Sequence, residues 1–129
     1  MPASLLVTAL AFIVAGALHF AIPRVYTGIM PAYLPSPLIL VYVSGAFEVL
    51  GGIGLLSPAT RAVAAIGLIL LLVAVFPANV EMLRLAQARH ASAVFVAACW
   101  FRLPLQALLI WWVWRVAHTA REFTVPVSP

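Results

Sequence analysis

One carboxylate stands out among the residues that could do chemistry, because it lies inside an otherwise uncharged apolar run. Glu48 is the only charged residue between positions 38 and 56. That run is long enough to cross a bilayer, which takes roughly 20 mainly apolar residues. A carboxylate at mid-membrane depth costs at least about 2.5–3.5 kcal/mol on insertion scales. We therefore expect Glu48 to face protein or water rather than lipid, as part of an interior polar site.

Further polar residues lie at suitable depths in the neighbouring apolar segments. His19 and Asn79 lie near the ends of the first and third segments, and Arg102 lies in the first part of the fourth. Because successive spans alternate in direction, these three are expected in one leaflet, with Glu48 nearer the midplane. Gln106 follows Arg102 by four residues and shares its helix face. We predict one ligand-binding pocket lined by five of these residues: His19, Glu48, Asn79, Arg102 and Gln106. Tyr26 and Tyr33 are expected at its mouth and complete the predicted site.

The same residues permit a structural interpretation, in which Glu48 pairs with Arg102 or His19 and the polar core only holds the bundle together. No metal site is expected, because His19 and Glu48 lack the spacing of a ligand motif. Cys99 is the only cysteine, which excludes dithiol chemistry within one chain. No serine or cysteine lies in a recognisable nucleophile motif, so catalytic residues stay undetermined.

The elements that position these residues are predicted to be four membrane-spanning helices. The chain has 129 residues, 66% of them hydrophobic and only 8% charged, whereas soluble domains carry about 25% charged residues. The apolar segments predict helices over about 3–22, 37–56, 61–83 and 93–117. The expected fold is therefore all-α, a polytopic membrane four-helix bundle with a Pro/Tyr-rich loop after the first helix. It forms a single domain over 1–120, followed by a disordered tail at 121–129.

The net charge of +4 comes from arginines scattered along the chain. Their positions near the ends of apolar segments suit snorkelling to lipid headgroups, and nothing resembles a nucleic-acid-binding face. The bilayer is thus the first expected partner. Four spans place both termini on the same side, which we expect to be the cytoplasmic side of the cell (inner) membrane, although the arginine counts on the two sides are nearly equal. The first segment could also be a signal peptide, but its start lacks Lys and Arg, which favours a retained helix.

Several stretches, in this order and spacing, resemble the DoxX-like family of small four-helix membrane proteins. They lie at 16–20 (GALHF), 29–35 (IMPAYLP), 44–48 (SGAFE), 75–79 (VFPAN) and 100–106 (WFRLPLQ). The resemblance covers about 16–112, nearly the whole chain. It implies association with membrane redox systems, either quinone-linked thiosulfate oxidation or partnership with oxidative-stress enzymes.

The polar pocket and the resemblance together suggest a redox-associated accessory subunit that holds a quinone-like or other amphiphilic ligand. His19, Arg102 and Gln106 would then bind a carbonyl headgroup, and Glu48 would handle a proton or neutralise Arg102. A quinone is the candidate cofactor, and the partner is a membrane or peripheral redox protein, or a second copy of the chain. Such a protein is not expected to be an autonomous enzyme, but a subunit of a quinone-linked oxidoreductase. The alternatives are a non-catalytic scaffold or assembly factor and, less favoured, a small transporter.

Overall fold

The computed structural model describes residues 1–122, and this part of the chain is all-helical. Four helices are long and apolar enough to cross a membrane: α1 (Ala3–Ala21), α3 (Pro37–Leu56), α4 (Arg61–Ala88) and α5 (Ala93–Glu122). A five-residue helix, α2 (Pro23–Thr27), follows α1. This confirms the predicted all-α class and the four membrane-spanning helices.

The later helices are longer than their apolar runs. α4 continues past position 83 to Ala88, because its polar last turns consist of good helix formers such as Leu, Arg, Gln and Ala. It stops before His90, which adopts a left-handed conformation with φ 50°. α5 includes Arg121 and Glu122, which the sequence analysis places in a disordered tail. The rest of that predicted tail lies outside the described residues.

Contact between α1 and α3 depends on glycine. A Cβ atom on Gly45 would lie 2.6 Å from the Cβ of His19 and 2.8 Å from the carbonyl oxygen of Gly16. A Cβ on Gly16 would in turn lie 2.6 Å from the carbonyl oxygen of Gly45. Small residues of this kind allow membrane helices to approach closely. The close approach brings the second half of α1 against the segment of α3 that carries Glu48.

The apolar core fills the half of the bundle that contains the N-terminus of α1. There, Leu5, Leu55, Leu68 and Val113 from the four long helices pack into one buried cluster. In the other half, a separate small cluster joins the end of α4 to the start of α5 through Leu83, Ala86 and Cys99. The two helix pairs, α1–α3 and α4–α5, therefore pack against each other at one end of the bundle. At the other end, each pair packs within itself.

Candidate functional site

A cavity of about 330 Å³ lies between these two helix pairs. Its lining comes from all five helices and from Ile29 and Met30, which follow α2. Six of the seven predicted site residues line it: His19, Tyr26, Glu48, Asn79, Arg102 and Gln106. Tyr33 does not, and its side chain is 76% exposed. Besides Tyr26, the residues of the connection that line the cavity are Ile29 and Met30 rather than Tyr33.

His19 and Glu48 meet at the cavity wall. The Nδ1 atom of His19 lies 2.9 Å from the carbonyl oxygen of Ala15, one turn earlier in α1. In the neutral imidazole this geometry assigns the proton to Nδ1, which donates it to that carbonyl. The same Nδ1 lies 3.6 Å from Oε2 of Glu48, too far for a good hydrogen bond. The neutral imidazole therefore gives the carboxylate no donor, and the two groups form an ion pair only when His19 is protonated.

Oε2 of Glu48 is the one buried side-chain oxygen or nitrogen that lacks a hydrogen-bond partner in the described part of the chain. The Glu48 side chain is 13% exposed. Buried polar atoms nearly always have a partner, and leaving one unpaired costs about 1–3 kcal/mol, more for a charged group. Within residues 1–122 no ion pair joins Glu48 to Arg102. Glu48 thus presents an unsatisfied acceptor at the cavity wall.

Tyr26 covers the His19 ring. The two rings stack with their centroids 3.9 Å apart, which places the phenol of α2 beside the imidazole of α1. Burial raises the pKa of the Tyr26 phenol above its ordinary value, the Glu48 carboxylate raises it further, and the Arg102 guanidinium lowers it. The phenol is therefore protonated at neutral pH and is available as a hydrogen-bond donor or acceptor.

Asn79 and Gln106 form an amide pair that bridges α4 and α5. Nδ2 of Asn79 donates to Oε1 of Gln106 at 2.7 Å, and Nε2 of Gln106 donates to the carbonyl oxygen of Leu72. Gln106 is only 6% exposed. These bonds occupy much of the hydrogen-bonding capacity of Gln106, so its first role is to hold the two helices together.

Arg102 lies at the rim of the cavity and is exposed. Its Nη1 lies 3.6 Å from the sulfur of Met82, a weak acceptor that leaves the guanidinium largely available. Ser44 also lines the cavity, from the turn of α3 that precedes Glu48. The expected site set omits Ser44, although its i,i+4 spacing from Glu48 places it on the same face of α3.

Arg61 differs most from its expected place at the headgroups. It is 4% exposed, and its guanidinium donates to the carbonyl oxygens of Leu55 at 2.9 Å and Ala120 at 3.3 Å. Arg61 therefore joins the ends of α3 and α5. The sequence did contain a signal for this role of Arg61, because a cation in the first turn of a helix interacts unfavourably with the helix dipole and needs another reason to be there.

Among residues 1–122, no three His, Cys, Asp or Glu side chains are grouped as a metal site.

Comparison with known proteins assigns the chain to a family. Residues 8–117 match a family described as "Domain of unknown function (DUF8561)". The chain belongs to the DUF8561 family. The DoxX-like identification is therefore wrong: the chain's family match is to DUF8561, and no DoxX match accompanies it. Neither a curated protein nor a solved structure matches this DUF8561 protein.

The failure of the DoxX-like resemblance has a physical reason. Its stretches consist mainly of small residues, prolines and aromatics, which bilayer-spanning helices of many families use for close packing and for interfacial anchoring. Similar short stretches therefore arise from the common environment of membrane helices. The DUF8561 match contains every residue that lines the cavity.

The geometry limits what the cavity of this DUF8561 protein can do. It combines a buried acceptor on Glu48 with a rim guanidinium on Arg102, and its remaining wall is largely apolar, including Phe12, Val41 and Leu72. Small-molecule sites typically combine apolar walls with a few polar groups in this way and have volumes of about 300–1,000 Å³. The cavity lies at the small end of that range.

Proposed function

We propose that this DUF8561 protein binds an amphiphilic molecule inside the membrane. The polar head lies against Glu48 and Tyr26, and the apolar part lies along Phe12, Val41 and Leu72. One observation carries the proposal: the unsatisfied Oε2 of Glu48 lies at the wall of a cavity of about 330 Å³.

The energetics of the membrane support this proposal. An acidic side chain in the middle of a span is costly, and such residues commonly mark functional sites. If the polar core were only structural, each of its buried polar groups would be expected to have a partner. Arg61 and the Asn79–Gln106 pair meet that expectation, whereas Oε2 of Glu48 does not. A bound head group would supply the missing partner.

A redox-accessory role is not proposed. That expectation rested on the DoxX-like resemblance, which the family match replaces. A quinone is also a poor chemical fit for the deep part of the cavity, because its carbonyl oxygens accept hydrogen bonds and would face another acceptor on Glu48. A membrane-resident amphiphile that carries a donor is a better complement.

We also propose that both termini lie on one side of the membrane. Four membrane-spanning helices support both termini on the same side of the bilayer. The choice of the inner membrane, with both termini in the cytoplasm, stays a prediction. So does assembly with a second copy of the chain.

A scaffold is the second candidate, and the polar contacts between helices favour it. Asn79 and Gln106 link α4 to α5, and Arg61 links α3 to α5. Bonds of this kind stabilise a bundle without any ligand. In that case the protein would offer its helices to membrane partners, and Glu48 would matter for folding alone.

The experiment that separates these functions is mass spectrometry of organic extracts from the purified protein. Wild type is compared with Glu48→Gln, which removes the charge but keeps the size of the side chain. Glu81→Gln is the matched control, because Glu81 lies outside the cavity and pairs with Arg84 within α4. All three are first shown to be equally folded by tryptophan fluorescence.

The amphiphile-binding proposal predicts one defined molecule in extracts of wild type and Glu81→Gln, and its loss from folded Glu48→Gln. The same lipid profile in all three proteins would contradict it and would favour the scaffold. Crosslinking to membrane partners would then be the next measurement.

A further inference from the structure

We infer that the head group bound at Glu48 is a protonated amine, so that the ligand is a small lipophilic organic cation. This inference rests on the proposed function and makes it more specific. The observation behind it is the juxtaposition of an unsatisfied buried carboxylate oxygen with the aromatic rings of Tyr26 and Phe12 in one apolar cavity.

Oε2 of Glu48 needs a hydrogen-bond donor, and no side chain of the described residues, Tyr26 and Arg102 included, supplies one. Nδ1 of His19 donates to the carbonyl oxygen of Ala15, and the amide nitrogens of Asn79 and Gln106 donate within the α4–α5 bridge. A ligand that only accepts hydrogen bonds would leave Glu48 unsatisfied. The head group must therefore donate.

Charge restricts the head group further. Among the described residues, the acidic and basic side chains that line the cavity are Glu48, Arg102 and His19. Glu48 forms no ion pair with Arg102, which is exposed at the rim, where headgroups and water can solvate it. The His19 imidazole lies 3.6 Å from Glu48 and is a counter-charge only when it is protonated; in the neutral form it brings none. A buried charge without a counter-charge is strongly unfavourable. A hydroxyl would satisfy the hydrogen bond and leave the charge uncompensated, whereas an ammonium does both.

The surroundings of the head group also favour a cation. Phe12 and Tyr26 line the same cavity as Glu48, and aromatic rings attract ammonium groups through their electron-rich faces. An anionic head group would instead repel Glu48, and its natural place would be beside Arg102, at the rim. The deep part of the cavity therefore selects a cation over an anion or a neutral molecule.

The test uses three probes that share one tail: octylamine, octanol and octanoate. Each is titrated into the purified protein in nanodiscs and followed by calorimetry, with empty nanodiscs as the reference for partition into lipid. We expect octylamine to bind wild type at least about tenfold more tightly than either other probe, since a hydrogen bond between two charged groups is stronger than one with a neutral partner. We also expect Glu48→Gln to lose that preference and Glu81→Gln to keep it.

The outcomes separate this inference from the function on which it rests. Equal binding of octylamine and octanol to wild type would overturn the cation inference, while saturable binding of both would still support an amphiphile site. An octylamine preference that survives in Glu48→Gln would also overturn it. If no probe binds and wild type retains no lipid, both proposals are wrong. The comparison of probes on wild type alone decides the matter if Glu48→Gln does not fold.

Discussion

Replacement of Gly45 by alanine is expected to push α1 away from α3. The new Cβ would lie 2.6 Å from the Cβ of His19 and 2.8 Å from the carbonyl oxygen of Gly16, whereas non-bonded carbons are normally about 3.5–4.0 Å apart. Neither of these atoms can be moved by a side-chain rotation. The helix itself must therefore shift by about 1 Å to restore normal contact.

The size of the effect follows from two opposing contributions. Inserting a methyl group into a packed helix contact costs about 1–3 kcal/mol, while alanine is favoured over glycine within a helix by about 0.5–1 kcal/mol. Gly67→Ala isolates the second contribution, because a Cβ atom at that position would meet no atom within 4 Å beyond its chain neighbours and the backbone of its own helix. The free energy of unfolding of Gly45→Ala should therefore lie below that of Gly67→Ala by about 1–3 kcal/mol.

The assay is reversible unfolding by SDS in mixed micelles, followed through the fluorescence of the four tryptophans. The difference between the two alanine variants is the measured quantity. Equal stability of Gly45→Ala and Gly67→Ala would refute the close contact of α1 with α3. Because α1 carries His19, the shift should also weaken binding of octylamine to Gly45→Ala, and Gly67→Ala should bind as wild type does.

Two further changes test the polar contacts between helices in the same unfolding assay. Gln106→Leu should lower the free energy of unfolding by about 1 kcal/mol, because it leaves Asn79 without its partner across α4 and α5. The control is Gln87→Leu, at an exposed position of α4, which should have little effect on stability. Equal losses in the two variants would refute the bridge. Arg61→Met should cost about 1.5–3 kcal/mol, because it removes two charged hydrogen bonds to backbone carbonyls. Exposed Arg89→Met is its control, and a stable Arg61→Met protein would show that this link contributes little.

Much of the site could be predicted from the sequence because depth along a helix follows from counting residues. A rise of about 1.5 Å per residue places His19, Asn79 and Arg102 in one leaflet and Glu48 nearer the midplane. Six of the seven expected residues do line one cavity. Tyr33 could not be placed in this way, because it lies in an irregular connection whose path has no fixed rise per residue.

The partner of Glu48 could not be predicted, and for a different reason. Helices that are apolar on nearly all sides carry little information about which face meets which neighbour. Sequence alone therefore left Arg102 and His19 as equal candidates. The close α1–α3 contact places Glu48 near His19, and Nδ1 of His19 is already occupied by the carbonyl oxygen of Ala15.

Hydropathy and segment length are enough to identify a four-helix membrane protein, and the depth of its polar residues indicates a polar interior, because these properties depend on local composition alone. Where that interior is open, and which of its polar groups are satisfied, follows only from the packing of the helices. It shows Arg61 as a buried link between helices and the Asn79–Gln106 pair as a bridge. It leaves Glu48 as the unsatisfied acceptor. These properties depend on the rotation and spacing of whole helices. Contacts between residues that are distant in the sequence determine both.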